Sequence, residues 1–245
     1  MHARASASLV ITAPVAQLGG PQTASNYRVL MVQRRAGGSF SSALVFPGGV
    51  QETGEDAWAC AVRETHEETN LRVSGACARS LGRWVTPRAQ KLRFDTRFFL
   101  AHLRDPRELL NVRPRAGEIS SVRWVAPTEA LALNRQGLLA LFPPQFCILH
   151  AMGRVGMWQE LARRLEYFDD VAVEPVVCAR SDGRVVAVLP GDWAYPVDGA
   201  GVADALLFGD GVAAGRAVNR LVMDRAAQGG FDNIRLVRTA GDARL

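Results

Sequence analysis

The sequence predicts an α/β fold, a mixed sheet whose strands alternate with a few helices, followed by a C-terminal extension of helix and strands. Three observations predict it. Short apolar runs of strand length recur along the chain, separated by loops rich in glycine, proline and serine. One segment, residues 56–69, contains neither proline nor glycine and reads as a helix. Apolar residues make up 48% of a 245-residue chain, enough for a substantial core.

Taken in order, Ser8 to Val15 (SLVITAPV) and Tyr27 to Gln33 (YRVLMVQ) read as two strands joined by a Gly/Pro/Ser-rich loop. Arg34 to Ser42 is a polar loop. Ala43 to Phe46 leads into Phe46-Pro47-Gly48-Gly49, a strand end followed by a tight turn. In the helix that follows, Ala57, Ala61, Val62 and Thr65, with Trp58, supply a packing face. Ala78 to Val85, Phe94 to Leu103 and Val122 to Val125 are further strands. Pro127-Thr128-Glu129-Ala130 starts a helix, with Thr128 as its candidate cap. Pro143-Pro144 interrupts the chain, or ends a helix. Gln145 to Tyr167 then reads as a helix with Leu149, Met152, Met157, Leu161 and Leu165 roughly in phase, although Gly153 and Gly156 weaken it. From Val171 onward, apolar runs (VAVEPVVCAR, GRVVAVLPG, NRLVM, NIRLVRT) alternate with glycine turns and read as strands packed on the core. The expected division is a domain over residues 7–145 and an extension over 146–245. No internal repeat or low-complexity tract is visible.

Composition bounds the function. No window holds 18 uninterrupted apolar residues, so no membrane span is expected. The formal charge of +5 is carried by arginine, Lys91 being the single lysine. It suits an anionic small molecule and is too weak and dispersed to argue for nucleic acid. Oligomeric state is not legible. Cys60, Cys77, Cys147 and Cys178 lie far apart without metal-ligand spacing and read as thiols in a reducing compartment. The first acidic residue is Glu52, and an acid-poor start with Arg4 has the flavour of a mitochondrial presequence. The strand at Ser8 to Val15 leaves little room for one. Ala243-Arg244-Leu245 resembles a peroxisomal targeting tripeptide. The expected location is peroxisomal in a eukaryotic source and cytoplasmic otherwise.

The chemistry concentrates in residues 49–71, GVQETGEDAWACAVRETHEETNL. Glu64, Glu67 and Glu68 stand at i, i+3 and i+4 of the helix, so their carboxylates share one face. Three anions so close repel, and in a cleft they raise one another's pKa. A hard divalent cation removes the conflict, since Mg2+ prefers carboxylate oxygen and keeps positions for water and phosphate. Arg63 lies beside them and can fork a carboxylate. Glu67-Glu68 alone would fit a solvated charged helix face; the joint pattern does not.

That pattern resembles the Nudix box: Gly49, five residues, Glu55, seven residues, Arg63-Glu64, then Glu67-Glu68. Two positions depart. Asn70 stands where the box has glycine, and Thr65 where it has an apolar residue. Asn best tolerates a left-handed helix end among non-glycine residues, so the turn is little threatened. The resemblance implies an α/β/α sandwich around a mixed sheet and a hydrolase of diphosphates using Mg2+ or Mn2+. Outside the box, four blocks are similar to the acyl-coenzyme A diphosphatase branch: Gln33-Arg34 with Phe40 and Val45 to Val50; Trp84, Thr86-Pro87 and Arg93 to Phe99; Pro143 to Phe146; and Val188 to Asp192. Members of that branch carry a long insertion within the box, which here has ordinary length.

The resemblance implies roles. Glu64, Glu67 and Glu68 would hold metal with the carbonyl of Gly48 or Gly49; Glu55 would pair with Arg63 and support the helix. Glu118 is the first candidate for a distal base or ligand and Glu129 the second. Arg34, Arg35, Gly49, Arg93 and Arg97 are candidates for substrate contact; Arg93 and Arg97 fit exposed strand positions equally well, and Phe94, Phe98 and Phe99 fit core. The implied reaction cleaves coenzyme A or acyl-CoA to 3′,5′-ADP and (acyl-)4′-phosphopantetheine. Two alternatives stay open: a Nudix enzyme for ADP-ribose, NADH or a dinucleoside polyphosphate, and a Nudix module that only binds a nucleotide.

Overall fold

The structure is a computed structural model and describes residues 2–18, 25–35, 43–73, 79–103, 105–109, 112–115, 117–164, 172–196, 216–227 and 229–239. Phe40, Cys77, residues 165–167 of the expected helix and the Ala243-Arg244-Leu245 tripeptide lie outside the described residues. In chain order the elements are β1 (Arg4–Pro14), α1 (Val15–Leu18), β2 (Tyr27–Arg34), β3 (Leu44–Val45), β4 (Gly48–Val50), α2 (Ala57–Thr69), β5 (Arg79–Val85), β6 (Phe94–His102), α3 (Pro106–Leu109), β7 (Ile119–Val125), α4 (Pro127–Arg135), α5 (Pro143–Gly153), α6 (Trp158–Arg164), β8 (Ala172–Val173), β9 (Val176–Ala179), β10 (Val185–Val188), β11 (Asn219–Arg225) and β12 (Phe231–Arg238).

β1 begins four residues before the strand expected at Ser8 and organises a mixed eight-stranded sheet. It runs parallel to β6 from Arg4 to Thr12. Along its other edge it changes partner: Ser6–Ser8 pair with β4, and Thr12–Pro14 pair with β2. β7 and β3 continue from β2, while β5 and then β8 continue from β6. The fork between β2 and β4 seats the glycine turn at the end of β2.

Alternating side chains on the strands feed two cores. Leu9, Ile11 and Leu30 pack with Cys60 and Ala61 of α2. Val10, Val29 and Met31 face the other way and join Ala130 of α4, Leu149 and Met152 of α5 and Leu161 of α6. Helices therefore cover both faces of the mixed sheet, the sandwich expected. Among the described residues no helix is long and apolar enough to cross a membrane.

The C-terminal strands do more than lie on that core. β9 to β12 form their own antiparallel sheet in the order β12-β11-β10-β9. Val185, Ala187, Leu221, Met223 and Ile234 share the larger core with Val10 and Tyr27. Asn134, fully buried at the end of α4, donates to Leu139 O and Phe231 O and accepts from Ile234 N–H at 3.1 Å. Asp192, in the Pro190-Gly191-Asp192 turn, accepts a bidentate pair from Arg220 at 2.7 and 2.8 Å and also the N–H groups of Ala194 and Asn219.

Two helix expectations are corrected. Gln145 to Tyr167 is not one helix: α5 starts at Pro143, stops at Gly153, and α6 starts at Trp158. The break is held from a distance, since Tyr27 Oη donates to Met152 O and Val155 O at 2.9 Å while Asn26 accepts from Trp158 N–H. Met157, expected in the packing phase, is 51% exposed. Pro143-Pro144 thus opens a helix, where a missing N–H costs nothing. Thr128 does not cap α4. Pro127 takes the first helical position, and Glu129 Oε2 accepts both from the Ala126 N–H at 3.3 Å and from Arg28, with which it forms an ion pair, so Glu129 braces the helix start.

Candidate active site

The site is built on α2. Asp56 caps its start by accepting from Ala59 N–H at 2.9 Å. Asn70 ends it in the left-handed region, φ 58°, its N–H returning to His66 O. The Asn-for-Gly departure thus keeps the conformation that glycine would supply. Thr65, the other departure, is fully buried and packs as an apolar residue would.

Arg63 orders the acidic face. Its Nε and Nη2 fork Glu55 at 2.9 and 3.0 Å, the bidentate geometry that suits guanidinium to carboxylate. Nη1 donates to Glu64 Oε1 at 2.9 Å and lies 3.6 Å from Glu67 Oε2, while Nη2 also reaches Val50 O at 3.1 Å. Glu55 in turn accepts from Glu52 N–H. The hydrogen bond from Arg63 holds the Glu55 carboxyl down at about 2, so it is an anion throughout the physiological range. The pairing of Glu55 with Arg63 is present.

The glycine turn closes against the helix. Gly48 N–H donates to Glu68 Oε2 at 3.1 Å, and Arg34 Nη2 bridges Glu68 Oε1 and Gly48 O at 3.2 and 3.3 Å. A Cβ on Gly48 would fall 2.4 Å from Ala7 O; one on Gly49 would fall 2.3 Å from the Glu64 carboxyl. Gly48 is required by close approach to backbone, whereas a side chain at Gly49 would displace the Glu64 carboxyl. Burial pushes the Glu68 carboxyl up to about 7, against the pull of Arg34 and the Gly48 N–H. Burial raises Glu64 as well, partly offset by Arg63.

The other expected residues fall into three places. Glu118 sits on the turn before β7, behind Gly117 at φ 112°. Its carbonyl accepts from Arg35 N–H, next to the arginine that holds Glu68. Glu118 and Arg35 are both exposed at that end of the sheet. Arg97 is exposed on β6, in the cross-strand row Arg97–Ala7–Gly49. Arg93 is committed elsewhere: it donates to Thr86 O at 2.9 Å and to Glu174 Oε1 at 2.6 Å, tying β6 to the C-terminal segment. Phe98 is buried core and Phe99 meets Trp58 edge-on, so both are packing residues.

Arg115 was not legible in the sequence. Its N–H donates to Glu68 O, that of Arg113 to Thr69 O, and the Arg115 guanidinium lies 3.5 Å from Glu67. Segment 112–115 thereby caps the open carbonyls of α2 from 45 residues downstream.

The donor set suits a hard divalent ion: carboxylates on one helix face, a glycine carbonyl beside them, and a buried carboxyl whose anion gains by pairing with a cation. Glu64, Glu67 and Glu68 are each turned towards an arginine, and among the described residues no three acidic, histidine or cysteine side chains meet round one point.

A model of the NUDIX domain matches residues 16–143, just over half the chain, and the chain belongs to the Nudix family. It is 33% identical over 122 residues to the human "Acyl-coenzyme A diphosphatase NUDT19" and 32% identical over 126 residues to the Xenopus laevis protein of that name. Each match takes in 47% of this chain and 31% of the relative, so the chain spans about a third of the curated relatives' length. In fold it is similar to the crystal structure of a Nudix hydrolase from Alicyclobacillus acidocaldarius, with a TM-score of 0.55 and 20% identity over 66% of this chain and 96% of that one.

Proposed function

We propose that this chain is a metal-dependent diphosphatase acting on coenzyme A or acyl-CoA, releasing 3′,5′-ADP and (acyl-)4′-phosphopantetheine. The observation that carries the chemistry is the glutamate face of α2, ordered by Arg63 and closed by the Gly48-Gly49 turn. The coenzyme A assignment is supported by the similarity to the two acyl-coenzyme A diphosphatases and by the four sequence blocks outside the box.

Glu64, Glu67, Glu68 and the Gly48 carbonyl would hold Mg2+ or Mn2+. When bound, such an ion neutralises diphosphate oxygens and lowers the pKa of water. The chain's own residues do the positioning. Arg63 fixes the helix carboxylates through Glu55. Arg34 holds Glu68 and the turn together and would meet a phosphate once Glu68 is otherwise neutralised. Glu118, the first candidate for a distal base, would accept a proton from the attacking water at its carboxylate oxygen. Water adds to one phosphorus, the bridging P–O bond breaks, and the two halves leave as phosphate monoesters. Positioning and charge neutralisation supply most of the acceleration in such transfers.

The test is hydrolysis of coenzyme A, acetyl-CoA, a long-chain acyl-CoA, ADP-ribose and NADH, with Mg2+ and then Mn2+, products resolved by chromatography. 3′,5′-ADP released from the CoA compounds and abolished by Glu67→Gln is the expected result. Turnover of ADP-ribose or NADH alone would remove the coenzyme A assignment. No turnover with retained nucleotide binding would favour a binding module.

A further inference from the structure

Beside the glutamate face lies a cleft of about 550 Å3 lined by His66, Glu67, Asn70, Arg113, Pro114 and Arg115. Its chemistry is that of a phosphate site. Arg113 and Arg115 are separated by one proline, and both their N–H groups point at the end of α2. Residues i and i+2 of an extended segment project to the same side, which brings both guanidinium groups to the cleft wall. Arg115 is partly matched by Glu67 at 3.5 Å. Arg113 is exposed and makes no ion pair among the described residues. A cation near a helix C-terminus is favourable in itself, which accounts for one guanidinium on the last turn but not for a second with no carboxylate of its own. The helix carbonyls that would repel an anion there are already occupied: Glu68 O and Thr69 O by the arginine N–H groups, and His66 O by Asn70. His66 lines the cleft beside them.

We propose that Arg113 and Arg115 form a subsite for a phosphate monoester, which selects nucleotides carrying one phosphate beyond the diphosphate that is cut. The cleft shares Glu67 with the acidic face, so a ligand whose diphosphate lies on the glutamates reaches the arginines with a neighbouring group. The subsite rests on the diphosphatase reading for its purpose, but its existence does not depend on turnover. Guanidinium groups suit it, since two can fork the phosphate oxygens.

Calorimetric titration without divalent metal tests it, with 3′,5′-ADP and 5′-AMP as probes differing only in the extra phosphate. The unaltered chain is expected to bind 3′,5′-ADP at least about tenfold more tightly. Arg113→Gln, and Arg113→Gln with Arg115→Gln, are expected to bring the two affinities within about twofold. Because Arg113 is exposed and its helix contact is through the backbone, the variants should fold, which a melting curve checks. Equal affinities in the unaltered chain, or a preference that survives Arg113→Gln, would overturn the subsite. Parallel turnover of coenzyme A and 3′-dephospho-coenzyme A separates the two readings. Equal turnover of both removes the subsite and leaves the diphosphatase. No turnover of either, with an arginine-dependent preference for 3′,5′-ADP, leaves the subsite and removes the diphosphatase.

Discussion

Gly48 and Gly49 are neighbours that fail for different reasons. At Gly48 an added methyl meets backbone, Ala7 O at 2.4 Å and Ser8 Cα at 2.7 Å, which cannot move without separating β4 from β1. At Gly49 the nearest atoms it meets are those of the Glu64 carboxyl, the end of a side chain that can swing. Gly48→Ala is therefore expected to lower the melting temperature, by an overpacking penalty of about 1–3 kcal/mol. Gly49→Ala is expected to melt nearly as the unaltered chain does while binding Mg2+ more weakly, because it displaces the Glu64 carboxylate proposed as a ligand. Calorimetry and a metal titration on both variants separate these outcomes; a Gly49→Ala chain with undiminished metal affinity would remove Glu64 from the ligand set. Glu68 gives a pH dependence. Its folded carboxyl titrates at about 7, above the ordinary 4.5, so its burial carries no penalty below pH 4.5 and a growing one as pH rises to 7. The lowered Glu55 acts in the opposite sense, adding stability above pH 4.5 that is lost only as pH falls towards 2. Between about pH 4.5 and about pH 7 the Glu68 contribution makes the metal-free chain less stable as pH rises, and Glu68→Gln is expected to remove that part of the slope in melting temperature. Metal needs the anion, so Mg2+ should stabilise more at the higher pH and release protons on binding.

At the scale of elements, α2 was nearly complete in the sequence because its contacts are local. Asp56, Glu55, Arg63 and Glu64 lie within ten residues, and helical periodicity fixes which of them meet. Arg63→Lys tests that economy: a point charge cannot fork Glu55 while also reaching Glu64 and Val50 O. The variant is expected to fold and to lose roughly 10–100-fold in metal affinity, as supporting residues of metal sites do; an unchanged affinity would show that Glu55 and Arg63 serve only the fold. The residues that could not be read depend on distant partners. Arg115 reaches Glu67 through backbone bonds between segment 112–115 and the helix end, with no periodic signal. The break between α5 and α6 was hidden because Leu149, Met152 and Leu161 stay buried on either side of it, while the groups that hold it open, Asn26 and Tyr27, lie more than 120 residues earlier. Strands β9 to β12 were visible as apolar runs, but a separate sheet is a pairing property, and β10 joins β11 across some 30 residues.

For the whole molecule, the larger core runs through the mixed sheet, α4 to α6 and the C-terminal sheet. A fragment ending at residue 145 would expose Val10, Tyr27, Val29 and Met31 to water, at about 1.5–3 kcal/mol for each large aliphatic side chain. The full chain is expected to unfold in one transition, and the fragment to aggregate or remain unfolded; two separate transitions by calorimetry would contradict this. Asp192 and Arg220 form a closed ion pair, 0% and 5% exposed, that ties the turn after β10 to β11. Removing one partner of such a pair costs about 3–5 kcal/mol, so Asp192→Ala is expected to lower stability sharply although it lies outside the glutamate face. An Asp192→Ala chain that melts like the unaltered one would place no weight on this turn.

The position of β1 has a consequence for how the chain is made. Its nine parallel pairs are all with β6, and about 80 residues separate Pro14 from Phe94. At a synthesis rate of roughly 5–20 residues per second, β1 leaves the ribosome about 4–16 s before its main partner. During that interval an apolar strand, eight of its eleven residues destined for burial, has β2, the glycine turn and α2 to cover it but nothing along the edge that β6 will take. High contact order and slow refolding follow from that placement, and the nascent chain is most exposed to aggregation or to chaperone capture before His102 emerges.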